Sequence, residues 1–183
     1  MAGLKGVLVV AQSGGPTAVI NASLAGIATA AFQRDDLISG VYGALHGIEG
    51  VLNEELIDLS RESPRTLELL RRTPSSALGS CRHKLTDDEY VRIVEVFKAH
   101  NVRYFCYIGG NDSMDTAHRV ERLAQEYGYE LRAMGIPKTV DNDLAHTDHC
   151  PGYGSVARCM CVAESEEVHT SDHHSRFGRA KDI

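Results

Sequence analysis

The feature that most constrains this chain is a recurring order: an apolar run of strand length, a glycine-marked break, then apolar residues at helical spacing. Lys5 to Ala11 is the first such run. It is broken by Gln12-Ser13-Gly14-Gly15-Pro16 and followed, over Thr17 to Phe32, by Val19, Ile20, Leu24, Ile27, Ala28 and Ala31. Apolar residues three and four apart line one face of a helix, while an uninterrupted apolar run fits a strand covered on both sides. Val102 to Ile108, the break Gly109-Gly110-Asn111-Asp112-Ser113, and Met114 to Tyr127 repeat the order. Tyr129 to Ile136, the polar loop Lys138 to Cys150 and the segment Pro151-Gly152-Tyr153-Gly154-Ser155 lead into a last helix, Val156 to about Glu166. Strands alternating with helices predict an α/β fold, a three-layer αβα sandwich on a mainly parallel, Rossmann-like sheet. Such sheets bind ligands at the carboxyl ends of their strands.

The intervening segments are less regular. Leu37 to Leu59 carries Gly40, Gly43, Gly47 and Gly50, too many for a helix, and reads as a short strand with a loop. Ser63-Pro64 opens a short helix, with Ser as the cap and Pro at the first position. A polar loop runs from Ser75 to Lys84, and Thr86-Asp87-Asp88-Glu89 is a capping box before Val91, Ile93, Val94 and Phe97.

Composition narrows the functional classes. A chain of 183 residues, 43% hydrophobic and 24% charged, buries a core without disulfides and is neither disordered nor fibrous. No apolar run approaches bilayer length. The formal charge of −6 argues against nucleic acid as a partner but allows a local basic pocket for a small anion. Cys81, Cys106, Cys150, Cys159 and Cys161 form no C-x-x-C pair and read as reduced, mostly packed thiols. With no leader pattern after Met1, the expected location is cytoplasmic.

Three polar loops follow strands, and together they describe a phosphate crevice. Ser13-Gly14-Gly15-Pro16-Thr17 stands before a helix, where small residues let backbone N–H groups approach an anion, although a plain tight turn uses the same residues. Gly109-Gly110-Asn111-Asp112-Ser113 adds an amide, a carboxylate and a hydroxyl; Asp112 and Ser113 also suit helix caps. The third, Gly135-Ile136-Pro137-Lys138-Thr139-Val140-Asp141-Asn142-Asp143, is the most specific. Two carboxylates two residues apart in an extended segment point the same way. One can then take a proton while the other holds a metal or the partner. Lys138 adds a fixed cation of the kind that a phosphate donor with bound Mg²⁺ requires.

In order and spacing, Gly14-Gly15 with Asn21-Ala22, Gly109-Gly110-Asn111-Asp112-Ser113 and Pro137-Lys138-Thr139-Val140-Asp141-Asn142-Asp143 resemble the 6-phosphofructokinase family. Leu78-Gly79-Ser80-Cys81-Arg82 is similar to its Gly-Ser-x-Arg loop, and Pro151-Gly152-Tyr153-Gly154-Ser155 to its Gly-aromatic-Gly helix start. The resemblance implies Mg²⁺-dependent phosphoryl transfer to the 1-hydroxyl of fructose 6-phosphate, in glycolysis. It makes Asp141 the base that accepts the hydroxyl proton. Thr139 and Asp143 then line the sugar and metal site, Gly15 and Arg82 hold the donor phosphate with Gly110 and Ser113 beside them, and Asn111 stands at the metal position. Many members carry aspartate at that position, and a neutral amide oxygen is a weaker Mg²⁺ ligand. Members that use ATP resemble Gly-Gly-Asp-Gly-Ser and Pro-Gly-Thr-Ile-Asp-Asn-Asp. This chain has Asp112 and Lys138 where those have glycine, so it resembles the pyrophosphate-dependent branch, with Lys138 on the free end of pyrophosphate.

The resemblance covers about residues 4 to 163, so the expected organisation is a donor-binding N-terminal domain over 1–163 and a divergent tail over 164–183. The family's strand with a Met-Gly-Arg turn does not follow Val162, which implies a fragment with impaired activity. The rival readings are an ATP-dependent enzyme and a non-catalytic phosphate-binding half-domain. Homo-oligomerisation is implied by the family alone. His169, His173 and His174 with His146, His149 and Cys150 match no closed zinc pattern. Tyr42 and His46 suit either a substrate contact or a plain turn.

Overall fold

The computed structural model describes residues 3–162. Its strands are β1 (Gly6–Gln12), β2 (Ile38–Ala44), β3 (Leu56–Asp58), β4 (Val102–Gly109) and β5 (Arg132–Pro137). They form one sheet in the order β3-β2-β1-β4-β5, parallel throughout except for β3, which runs antiparallel to β2. The helices are α1 (Ala18–Phe32), α2 (Ile48–Leu52), α3 (Pro64–Arg72), α4 (Asp87–Ala99) and α5 (Asn111–Glu126), and residues 153–162 are also helical.

The three layers follow from the period-two alternation of β1. Leu8 and Val10 pack with Ile20, Leu24 and Ala28 of α1 and Leu67 of α3. Val9 and Ala11 face the other way, into Ile93 and Phe97 of α4 and Val120 and Ala124 of α5. The chain turns to opposite sides of β1 for β2 and for β4, which makes the carboxyl end of β1 a topological switch point where a crevice opens.

Two expectations about the elements need correction. The glycine-rich stretch after Leu37 is not a strand and a loop; it is β2, α2 and β3. Gly43 lies inside β2 because a Cβ there would sit 2.7 Å from Leu78 Cδ1, so its glycine serves packing and not a turn. Likewise Asn111, Asp112 and Ser113 are not loop residues but the first turn of α5, with Gly110 as the cap position. Apolar periodicity begins only at Met114, because the first turn of a helix has free N–H groups and tolerates polar side chains.

Other signals are realised as read. Ser63 Oγ accepts the Thr66 N–H at 3.0 Å at the start of α3, and the Glu89 carboxylate accepts the Thr86 N–H at 2.7 Å at the start of α4. All five cysteines are free; Cys150 is buried, Cys81 and Cys106 partly so, and Cys159 and Cys161 are exposed rather than packed. Burial pushes the Cys106 thiol up to about 11. Among the described residues no helix is long and apolar enough to cross a membrane.

Candidate active site

A crevice of about 710 Å³ opens where β1, β4 and β5 end, and it gathers all three polar loops. Gly15, Arg82, Gly110, Asn111, Asp112, Ser113, Lys138, Thr139 and Asp141 line it; Asp143 does not.

The first wall is built from β1 outward. Ser13 N–H donates to Ile108 O at 2.9 Å, and Gly14 N–H donates to Cys81 O at 3.1 Å. Gly14 has φ +74°, a conformation that favours glycine. Ser80 Oγ donates to the Gly14 carbonyl at 2.6 Å, so the segment carrying Arg82 is stitched to the glycine turn. Two buried amides hold that segment from below. Gln12 Oε1 accepts from Ser76 Oγ (2.6 Å) and Leu78 N–H (3.2 Å). Asn21 donates to Thr73 O at 2.9 Å and accepts from Ala77 N–H at 2.7 Å. Gln12 goes unmarked in the sequence because the apolar run ends at Ala11. The signal was there: an amide directly after an all-apolar strand has to find buried partners.

The second wall is the start of α5. A Cβ on Gly109 would collide with the hydroxyls of Ser113 and Ser13, which are hydrogen-bonded to each other. Gly110 is different: its nearest neighbour would be Thr139 Cβ at 3.9 Å, so the protein's own packing does not require glycine there. The Asn111 side-chain oxygen accepts the Asp112 N–H at 2.9 Å.

The third wall follows β5. Lys138 N–H donates to Gly109 O at 2.8 Å, and its ammonium, on a residue only 4% exposed, donates to the Gly15 carbonyl at 2.8 Å. Burial and the Arg82 charge lower the Lys138 pKa below the usual lysine value, against the opposing charge of Asp141. Thr139 is buried, and its Oγ1 accepts the Asp141 N–H at 3.1 Å.

The paired-carboxylate expectation fails at Asn142. That residue takes φ +54°, accepts Cys150 N–H at 2.7 Å and donates to Asp148 O at 3.1 Å. A left-handed residue between them breaks the extended alternation. Asp141 therefore faces the crevice while Asp143 leaves it. Tyr42 and His46 also lie off the crevice lining. His46 sits in a turn at φ +53°, its N–H bound to Leu78 O at 2.8 Å.

Several lining residues carried no recognised signal in the sequence. Tyr107 is buried, and burial, reinforced by Cys81, drives its hydroxyl far above the usual tyrosine range. His83 and Lys84 extend the Arg82 side, while Asp115, Thr116 and Arg119 continue the wall of α5. The Arg119 guanidinium lies 4.3 Å over the Tyr90 ring and donates to Asp87 at 3.3 Å. Spacing along α5 could have found this stripe, since residues 112, 115, 116 and 119 share one helical face.

Among the described residues no three His, Cys, Asp or Glu side chains group to hold a metal, and His169, His173 and His174 lie outside the described residues. The crevice offers hard oxygen donors one at a time: Asp112, Asp115, Asp141 and the Asn111 amide. That set fits a Mg²⁺ ion that keeps its waters and arrives on phosphate oxygens, and not a closed protein cage. A buried ammonium and an arginine suit a small polyanion, and the Asp141 carboxylate in the same lining suits proton transfer.

The family model described as Phosphofructokinase matches residues 7–178. The pyrophosphate–fructose 6-phosphate 1-phosphotransferase of Halomonas elongata is 52% identical over 161 residues, covering 85% of this chain and 38% of that protein. The ATP-dependent 6-phosphofructokinase of Haemophilus influenzae is 29% identical over 172 residues, covering 93% of this chain and 50% of that one. The crystal structure of the pyrophosphate-dependent phosphofructokinase from Marinobacter aquaeolei matches with a TM-score of 0.82 at 51% identity, over 87% of this chain and 40% of that one. The chain thus spans about two-fifths of the length of the pyrophosphate-dependent relatives it matches.

Proposed function

The chain belongs to the phosphofructokinase family, and from that membership we propose that it forms the donor side of a pyrophosphate-dependent 6-phosphofructokinase. The substrates are Mg²⁺-pyrophosphate and fructose 6-phosphate. The Asp141 carboxylate accepts the proton of the sugar 1-hydroxyl as that oxygen attacks phosphorus, and inorganic phosphate leaves. Gly15, Gly110, Ser113 and Arg82 hold the donor, and Thr139 fixes the backbone of Asp141 through the 3.1 Å hydrogen bond. Phosphoryl transfer asks a protein mainly for positioning and charge stabilisation, which these groups supply. The oxygens of Asn111 and Asp112 would hold a magnesium ion carried by the donor, which would supply charge neutralisation of the phosphate oxygens. Asp143 has no part in this reading.

The observation that carries the donor assignment is the Lys138 ammonium, buried and hydrogen-bonded to the Gly15 carbonyl at 2.8 Å in the floor of the glycine turn. A cation set that deep meets the terminal phosphate of a short anion, and Asp112 lines the same crevice. Calorimetric titration of the chain with Mg²⁺-pyrophosphate and with Mg²⁺-ATP tests this. Pyrophosphate is expected to bind more tightly, and tighter ATP refutes the donor. Turnover of fructose 6-phosphate with Mg²⁺ and pyrophosphate is expected to vanish in Asp141→Asn; turnover that survives removes Asp141 as the base. Homo-oligomeric assembly is proposed on the family likeness alone, and light scattering that reports only monomer refutes it.

A further inference from the structure

We propose that His83 is a positioning residue for Arg82, holding the arginine at the rim of the crevice by anchoring their shared loop to Glu89 at the start of α4. The inference rests on the pyrophosphate reading of the crevice and names a residue that serves that reading without touching the donor.

Arg82 is the group that needs placing. Its guanidinium lies over the glycine turn, where a Cβ on Gly15 would come within 3.6 Å of Nη2. Among the described residues it is exposed and has neither a hydrogen-bond partner nor a carboxylate to hold it. Its place is therefore set by the chain on either side. Toward Cys81 the backbone is fixed: the Cys81 carbonyl accepts the Gly14 N–H at 3.1 Å, and Ser13 and Cys81 form a parallel bridge. Beyond Cys81 the backbone of residues 82–85 makes no hydrogen bond among the described residues. Leu85 packs against the core, and between Cys81 and Leu85 the His83 ring is the polar anchor.

That ring stands between two carboxylates, with Nε2 2.8 Å from Glu89 Oε1 and Nδ1 3.9 Å from Glu49 Oε1 of α2. The Thr86 N–H, more than any other contact, holds the Glu89 carboxyl below the usual carboxylate range, so that oxygen accepts and the ring donates from Nε2. Glu89 is no free surface acid. Its other oxygen is pinned by the Thr86 N–H at 2.7 Å, so the ring ties the Arg82 loop to a fixed point of α4. An arginine held in place before the donor arrives loses less freedom on binding it. The ring also lines the crevice, which makes direct contact with the donor the rival role. The two roles differ in whether Arg82 is needed.

The test is calorimetric titration with Mg²⁺-pyrophosphate of wild type, His83→Ala, His83→Gln and His83→Asn, and of His83→Ala combined with Arg82→Met. His83→Ala is expected to bind about fivefold more weakly, the upper value of a partly exposed ion pair. The Gln amide reaches the place of Nε2 and is expected to restore the affinity, whereas the shorter Asn is expected to behave as Ala. Beside Arg82→Met, His83→Ala is expected to cost nothing further. If wild type does not bind pyrophosphate, the donor reading fails and the role of His83 falls with it. If wild type binds and His83→Ala binds equally well, His83 positions nothing while the donor reading stands. A loss that persists in full beside Arg82→Met, or rescue by Asn but not by Gln, overturns positioning through Glu89.

Discussion

Replacing Lys138 with methionine separates binding from stability, because the ammonium matters to binding while its effects on stability offset. The side chain is buried and close in volume to methionine, so the change removes charge and donor with little change of shape. Losing a hydrogen bond to a charged phosphate is worth about 1.5–3 kcal/mol, or roughly a 10- to 150-fold weaker Kd for Mg²⁺-pyrophosphate. Stability should hardly move. The variant loses the 2.8 Å bond to the Gly15 carbonyl, but it also loses a cation whose burial is unfavourable. These offset, and the net change is expected below about 1 kcal/mol by urea denaturation. The pH dependence adds a second check. A lysine whose folded pKa lies below its ordinary 10.5 binds its proton more weakly when folded, so wild type gains stability relative to Lys138→Met as pH rises through the folded pKa toward 10.5. Pyrophosphate affinity moves the other way and falls over the same window as the ammonium is lost. An affinity unchanged in the variant, or a stability loss beyond about 2 kcal/mol, refutes the reasoning, the latter by making Lys138 a structural pin of the glycine turn.

Gly109→Ala places a methyl group against the Ser13 and Ser113 hydroxyls, and overpacking of this kind is expected to cost about 1–3 kcal/mol by chemical denaturation. Asn21→Ala leaves Thr73 O and Ala77 N–H without their partner. It is expected to cost about 1–3 kcal/mol and to raise hydrogen exchange across residues 73–81, where an unchanged exchange pattern counts against the anchor. Tyr129→Phe strips a buried hydroxyl from the carbonyls of Phe97 and Val102, at 3.0 and 2.6 Å. It is expected to lower stability by about 1–3 kcal/mol without changing pyrophosphate affinity, since the residue packs at the opposite end of the strands from the crevice.

The sandwich was legible because apolar runs of strand length and helical spacing are properties of local sequence, and β1, α1, β4 and α5 each present one or the other over many residues. Punctuation by glycine was less dependable. Gly110 ended a strand as read, but Gly43 answers to Leu78, a residue far along the chain, and no local window contains that contact. The crevice residues taken from the resemblance fell together with the exception of Asp143. Its displacement comes from one backbone torsion at Asn142, set by partners at Asp148 and Cys150 that spacing does not reveal. Arg119 and Tyr107 were invisible for a related reason: one reads as an ordinary charge on a helix, the other as an ordinary strand aromatic, until the sheet brings both to the same opening.

The stitching of the 73–81 segment to β1 has an evolutionary corollary. Gln12, Gly14 and Asn21 bind Ser76, Leu78, Ser80, Ala77 and Thr73, so the arginine-bearing loop takes its position from the same strand and helix that shape the glycine turn. The two rims of the crevice therefore cannot drift apart independently. Across homologous chains, substitutions at 12 and 21 should be inherited together with compensating changes between 73 and 80, as one module.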